Sequence, residues 1–225
     1  DGTLAPSLAT SWDISADGTV FTFELREGVQ FQDGSAFDAD DVVYSFERLV
    51  TAGSSVVGLL GQDDDGNPTW SVEAEDASTA VFTLEEPNAD FLYGVASRFA
   101  MILSSDTADV NTIAGGSDPY ANFNGTGAFI LTEYAADERA VFEANESYWG
   151  GSPGLDGVEL IFFDDDQSQL DAFRSGVLDF IIKVPDDLLA SLNRVDAATV
   201  VTKPTNTHPV VRLRADEGSI GEDVR

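Results

Sequence analysis

The window from residue 17 to residue 50, DGTVFTFELREGVQFQDGSAFDADDVVYSFERLV, changes hydrophobic period midway. In its first part Phe21, Phe23 and Leu25 share one parity, and Val20, Thr22, Glu24 and Arg26 share the other. That alternation predicts a half-buried strand. In its second part Val42, Val43, Phe46, Leu49 and Val50 recur at helical spacing. Four aspartates, Asp33, Asp38, Asp40 and Asp41, stand between the two patterns. Asp33-Gly34 reads as a turn. Asp38 stands where an N-cap belongs, and Asp40 and Asp41 fall in the first helical turn, where negative charge suits the positive helix end. The helix is expected from Ala39 to about Val50, with Gly53 just past its end. A chain obliged to form a strand and then a helix in 34 residues is a mixed α and β protein.

The rest of the chain extends this pattern. SWDIS and the Asp17-Gly18 turn precede the strand and predict a hairpin. Residues 54–70, with their DDDGNP run, read as a loop, and residues 71–85 as two strands around a turn at Asp76 to Ser78. Pro87 ends the second strand. NADFLYGVASRFAMI reads as a short helix leading toward a strand, and residues 104–124 as loop or short helix. FILTEY, RAVFEA and VELIFFD are strand candidates, and DQSQLDAFRSGVLDFII a helix followed by a strand FII. PDDLLASLNRV opens like a helix, and ATVVTKP like a strand. There is no strict βαβ alternation, so the class is α/β with α+β mixed sheets.

Composition narrows function. The chain has 41 acidic and 11 basic residues, a formal net charge of −30, with Lys183 and Lys203 as its lysines. Such a surface repels nucleic acid and anionic lipid. With 43% apolar residues and 15 Phe the chain is no disordered acidic tail. An aromatic-rich folded chain this acidic, poor in lysine but not in arginine, fits a protein working in high salt, where self-repulsion is screened. An ordinary acidic protein that binds cations or a basic partner is the other reading. The absence of cysteine excludes disulfides, thiolate zinc sites and cysteine nucleophiles. No apolar run reaches the length of a membrane span. The chain begins at Asp1 without a visible signal peptide, as expected of a processed or trimmed protein.

Catalytic signatures are weak. The single histidine, His208, has no G-x-S-x-G elbow to serve. With 41 acids, carboxylate pairs are unavoidable and uninformative. Asp63-Asp64-Asp65-Gly66-Asn67 resembles part of a calcium loop. Aligning Gly66 with the sixth position puts Gly61 first and Val72 twelfth, where Asp and Glu belong, so an EF-hand is rejected. A surface cation site at Asp63, Asp65 and Asn67 remains a candidate. Asp164 to Asp166 reads as a strand end entering a helix. NGTGAF lacks a following G-K-[ST] and reads as a tight turn with glycine at positive φ. Asn124-Gly125-Thr126 and Asn145-Glu146-Ser147 are N-glycosylation sequons, permissive of secretion.

The series LAPSLATSWDISADGTVFTFELREGVQFQDGSAFDADDVVYSFERL resembles the signature region of the family 5 extracellular solute-binding proteins, the peptide, dipeptide and nickel receptors of ABC importers. The match runs through Leu8, Ala9, Ser11, Trp12, Asp17, Gly18, Phe21, Phe23, Leu25, Arg26, Phe31, Asp33, Gly34, Phe37, Ala39, Asp41 and Val42. Three later landmarks follow in the family's order. Gly125 to Phe129 is similar to its G-T-G-P-(F/Y) turn, with Ala128 in place of Pro. Asn145 to Gly150 is similar to N-x-x-Y-W, and Ser175 to Asp179 to S-G-x-x-D. The terminal stretch from Thr207 to Arg225 lacks the family's usual x-F-N strand.

The resemblance implies a periplasmic binding protein-like fold, type II or cluster C, represented by one incomplete lobe. Residues 1–127 would hold an inserted subdomain and the N-terminal part of lobe I, and 128–225 the main part of lobe I; the second lobe would be absent from the chain. It implies an extracellular, lipid-anchored, monomeric receptor that delivers a peptide or similar solute to an ABC permease, without cofactor or catalysis. A calcium-dependent surface protein and a secreted hydrolase are the rival readings, and a sensor domain of the same fold is a third. Ligand-binding candidates are Arg98, Phe99, Asn124, Gly125, Thr126 and Gly127. Arg98 is a rare cation in an apolar segment that could pair with a substrate carboxylate or form a salt bridge within the lobe. Asn124 to Gly127 could line the cleft or serve as a turn. Trp12, Trp70, Tyr93 and Trp149 are further ligand-facing candidates, although Trp12 and Trp149, set in landmarks, are expected in the core.

Overall fold

The computed structural model describes residues 3–106, 124–185, 188–189, 192 and 198–201. The chain divides into two compact units, Asp1–Phe162 and Phe163–Arg225. Sequence reasoning divided the chain at 127/128, which falls between the two sheets of the first unit.

The first unit opens with the expected hairpin. Strand β1 (Ala9–Ile14) pairs antiparallel with β2 (Val20–Leu25), and Gly18 takes φ 73° in the turn. Strands β3 (Trp70–Asp76) and β4 (Thr79–Leu84) form the second expected hairpin and complete a four-stranded sheet in the order β1-β2-β4-β3. The register places Phe21 opposite Phe82 and Phe23 opposite Ala80, so the inward parity of β2 meets the inward parity of β4. Helix α1 (Ala39–Thr51) lays Phe46 on this face, its ring centroid 4.9 Å from that of Phe82 and 6.0 Å from that of Trp70. Phe91 closes the cluster 5.4 Å from Phe82. Edge-on aromatic packing of this kind adds to simple area burial.

Asp38 caps α1 as expected, its carboxylate accepting the Asp40 N–H at 2.9 Å. Asp41 does more than its place in the first turn implied. Its Oδ2 accepts the Asp38 N–H at 2.9 Å, completing a capping box, and its Oδ1 accepts the Ser105 N–H at 2.7 Å. One turn further on, Ser45 Oγ accepts the Leu103 N–H at 2.9 Å. The segment 103–105 is thus sewn to the helix.

Four local expectations are corrected. Residues 54–70 contain a helix, α2 (Ser55–Leu60), capped by Ser54, which buries Val56, Val57 and Leu60. Gly58 and the short length hid it from the periodicity. Short α3 (Phe91–Val95) forms, but residues 101–104 make no strand after it. The FII segment, Phe180 to Ile182, is not a strand, and neither are residues 198–201 of ATVVTKP. Strand propensity there meets no partner strand among the described residues, and an unpaired strand gains no ladder.

After the polar stretch, whose residues 107–123 lie outside the described ones, β5 (Phe129–Ala135), β6 (Arg139–Ala144) and β7 (Gly157–Ile161) form a three-stranded antiparallel sheet. The β5–β6 turn sets Asp137 at φ 61°. In the second unit α4 (Asp166–Arg174) is capped by Asp165, which accepts the Ser168 N–H at 2.9 Å, and buries Leu170. Gly176 follows at φ 79°. Of the expected helix over 185–195, Leu188, Leu189 and Leu192 are helical and the remainder lies outside the described residues, as does His208.

Candidate functional site

Residues Asn124 to Phe129 form a turn gripped from two sides. On one side stands the Asp33-Gly34 turn. Gln32 donates its N–H to the Gly125 carbonyl at 3.0 Å and its Nε2 to the Phe129 carbonyl at 2.8 Å. The Asp33 N–H is accepted by Asn124 Oδ1 at 3.2 Å. On the other side Asn145 donates its N–H to the Ala128 carbonyl at 2.9 Å and its Nδ2 to the Gly127 carbonyl at 2.9 Å. Two side chains and two main-chain groups from distant segments thereby take four carbonyls of one turn. Asn124 and Asn145 are both buried. Neither sequon asparagine stands open in the folded chain.

The Asp33 turn is itself self-satisfied. Asp33 Oδ1 accepts the Ser35 N–H at 2.9 Å and the Ser35 hydroxyl at 2.7 Å, which holds the carboxyl below its ordinary pKa. Glycine's freedom is used at Gly34, with φ 89°, and not at Gly127, which lacks the positive φ expected of it. A further clasp joins the landmarks. The Arg26 guanidinium lies over the Trp149 ring at 4.6 Å and donates from Nε to the Ser7 carbonyl at 3.1 Å.

Arg98 and Phe99 lie apart from this grip. Arg98 stacks on Phe99, with Cζ 4.7 Å from the ring centroid, and both are exposed. The salt bridge considered for Arg98 is not found among the described residues. No hydrogen bond among the described residues links Arg98 or Phe99 to the turn at 124–127. The other aromatic candidates divide. Trp70 is in the core, Trp12 and Trp149 are partly buried against it, and Tyr93 is exposed.

At the calcium-like run, Asp63 accepts the N–H groups of Asp65 at 3.0 Å and Asn67 at 2.7 Å, and the Asn67 Nδ2 at 2.9 Å. These donors, Asn67 foremost, lower the Asp63 pKa. Its carboxylate is committed to its own loop.

The first unit also holds an apolar cleft of about 410 Å³. The segment Leu4 to Ala9 and Trp12 form one wall, Val42 and Phe46 of α1 another, and residues between Leu92 and Ile102 a third. None of the six ligand-binding candidates lines it. Sequence reasoning missed the cleft, because its lining comes from five separate stretches, within 4–12, 23–25, 37–46, 80–82 and 92–102. It also missed Gln32, which carries no mark of its role in the sequence.

Comparison with known proteins supplies the wider frame. Di/tripeptide-binding protein 2 of Pseudomonas aeruginosa is 31% identical over 94% of this chain and 43% of its own length. Among solved structures, the periplasmic binding protein DppA of Helicobacter pylori, in complex with the peptide STSA, aligns with TM-score 0.69 at 31% identity, over 85% of this chain and 40% of that one. NikA of Brucella suis, in complex with Fe(III)-EDTA, aligns with TM-score 0.71 at 28% identity, over 87% and 39%. The chain therefore spans less than half the length of these relatives. The family described as bacterial extracellular solute-binding proteins, family 5 Middle, matches residues 3–219, and to that family the chain belongs.

Proposed function

We propose that the full-length protein is the substrate-binding component of an ABC importer for peptides or a similar small solute. It captures its ligand between two lobes by hinge closure, hands it to a membrane permease, and performs no chemistry. The observation that carries this reading is the family match over residues 3–219, together with relatives described as di/tripeptide-binding proteins. Residues 1–127 supply the inserted subdomain and the N-terminal part of lobe I, and 128–225 its main part. Arg98, Phe99 and the turn from Asn124 to Gly127 face the ligand. The receptor works outside the cell as a lipid-anchored monomer. Among the described residues no helix is long and apolar enough to cross a membrane. Its acidity suits a saline medium, in which charge repulsion across a net −30 is screened.

The experiment is mass spectrometry of what co-purifies with the full-length protein, followed by calorimetry with the compounds found and with a panel of di- and tripeptides. Peptides recovered and rebound with a one-to-one stoichiometry are the expected result. A protein that carries no small solute and binds no peptide would sink the reading. The 225-residue chain alone is expected to bind these peptides poorly, since it spans 43% of the Pseudomonas aeruginosa di/tripeptide-binding protein 2 and a two-lobed clamp needs both halves.

A further inference from the structure

The two sheets of the first unit meet at more than one point. Gln32 and Asp33, from the turn that follows β2, reach across to the entrance of β5. The Gln32 N–H donates to the Gly125 carbonyl at 3.0 Å, its Nε2 to the Phe129 carbonyl at 2.8 Å, and the Asp33 N–H to Asn124 Oδ1 at 3.2 Å. A second crossing lies past the exit of β6. There Trp149 packs against the core of the first sheet, and Arg26, just past the end of β2, lies over its ring at 4.6 Å. The two crossings share a foundation. Phe129 and Ala144 are partners in the β5–β6 register, and Asn145 ties the chain after β6 to the Gly127 and Ala128 carbonyls, at 2.9 Å each. The segment bearing Arg98 and Phe99 belongs to the first sheet's side of this joint. Ala100 is buried in that core, and the Leu103 and Ser105 N–H groups are held by Ser45 and Asp41 of α1.

A single crossing would act as a pivot. Two crossings leave at most rotation about the line through them. A large ring packed into the core obstructs that rotation, since packed interiors have discrete arrangements rather than slack. Opening the joint also breaks three hydrogen bonds and a stacked cation–ring pair together, so their contributions combine. We propose that the two sheets are locked into one rigid body, which carries both candidate ligand-facing patches at a fixed separation, and that the hinge closing on ligand lies beyond both sheets. The locking stands on these contacts alone; the place of the hinge rests on the receptor reading.

The test uses the full-length protein with spin labels on Glu73→Cys in β3 and Glu143→Cys in β6, both exposed positions. Double electron–electron resonance reads the distance between them. One narrow distance in the free protein, unmoved by alanyl-alanine, is the expected result. Two distances in the free protein, or a shift on adding the dipeptide, overturns the proposal. Calorimetry of the same samples records whether alanyl-alanine binds. Failure to bind counts against the receptor reading for dipeptides and the hinge drawn from it, while the free-protein distance still decides the locking. Hydrogen exchange then asks whether the crossings open as a unit. Among the described residues the Arg26 side chain makes no hydrogen bond to Gln32 or Asp33. Arg26→Ala should nonetheless speed exchange of their N–H groups about two- to fivefold, the worth of one cation–ring contact, while amides in the middle of β2 keep their rates. Unchanged exchange at Gln32 and Asp33, or equal acceleration throughout the first unit, overturns the locking. Circular dichroism checks that the variant folds, and if it does not, the spin-label distance in the parent decides alone.

Discussion

Replacing Asp41 with alanine removes a carboxylate that is 3% exposed and holds two main-chain groups. Its Oδ2 accepts the Asp38 N–H at 2.9 Å and its Oδ1 accepts the Ser105 N–H at 2.7 Å. Alanine has no side-chain acceptor, so both donors lose their partner. The first lies at the helix N-terminus and can turn to water. The second sits where segment 103–105 is sewn to the helix. An unmet donor costs about 1–3 kcal/mol, more when the lost partner is charged, so the pair is worth about 3 kcal/mol. Asp38→Ala removes a half-buried cap and should cost about 1 kcal/mol, the usual worth of an N-cap. The assay is urea unfolding followed by tryptophan fluorescence. Trp12, Trp70 and Trp149 all lie in the first unit, so the signal reports that unit alone. The expected order is wild type, then Asp38→Ala, then Asp41→Ala, least stable of the three. An Asp41→Ala variant no less stable than Asp38→Ala would refute the reasoning, because it would mean that the Ser105 bond carries no net stability.

Phe82→Ala should cost about 3–5 kcal/mol in the same assay, since its ring contacts those of Phe23, Phe46, Trp70 and Phe91; a loss below 1 kcal/mol would show that the cluster closes around the void. Asp17, Asp33, Asp63, Asp76 and Asp165 have carboxyls held below 3.8 by donors from Ser15, Ser35, Asn67, Ser78 and Ser168 respectively. A lowered folded pKa favours the ionised native state, so their contribution is full above the unfolded value and is lost as pH falls through the folded ones. Carbon-13 NMR should show these five titrating with midpoints below 3.8, and midpoints at or above it would contradict the hydrogen bonding. The urea midpoint should rise between 0.1 M and 3 M KCl, because a net charge of −30 is offset among the described residues by ion pairs of only two arginines, Arg139 and Arg174; a flat or falling midpoint would remove the argument for salt adaptation.

Much of the fold was legible in the sequence where a local rule and the tertiary demand coincide. The hairpins at Asp17-Gly18 and Asp76–Ser78 have turn residues between strand-like runs, and in the two inner strands β2 and β4 the parity of Phe21, Phe23 and Leu25 and of Ala80, Phe82 and Leu84 is buried. Helix α1 has its cap, its charge bias and its apolar stripe in one stretch. Where these cues are short or conflict, reading fails. Helix α2 has six residues with a glycine among them, too few for a period to emerge. Phe180 to Ile182 has strand composition, but pairing decides whether a strand exists, and composition holds no information about the partner.

The family landmarks divide in the same way. Sequence alone determined that Asp33-Gly34, Gly125 to Phe129 and Asn145 to Trp149 recur in a family's order, and this identified the kin of the chain. It also determined charge, and hence the partners that the surface repels. Only the tertiary structure decided why those landmarks belong together. Gln32 and Asn145 come from segments some 110 residues apart, and they meet on the two flanks of one turn. Hydrogen bonds between remote segments depend on where folding brings each main-chain group, which local periodicity does not encode. The aspartates of the opening window show both halves of this lesson. Their spacing announced a turn and a capped helix, while the second bond of Asp41, to Ser105, exists only because the chain returns there 64 residues later.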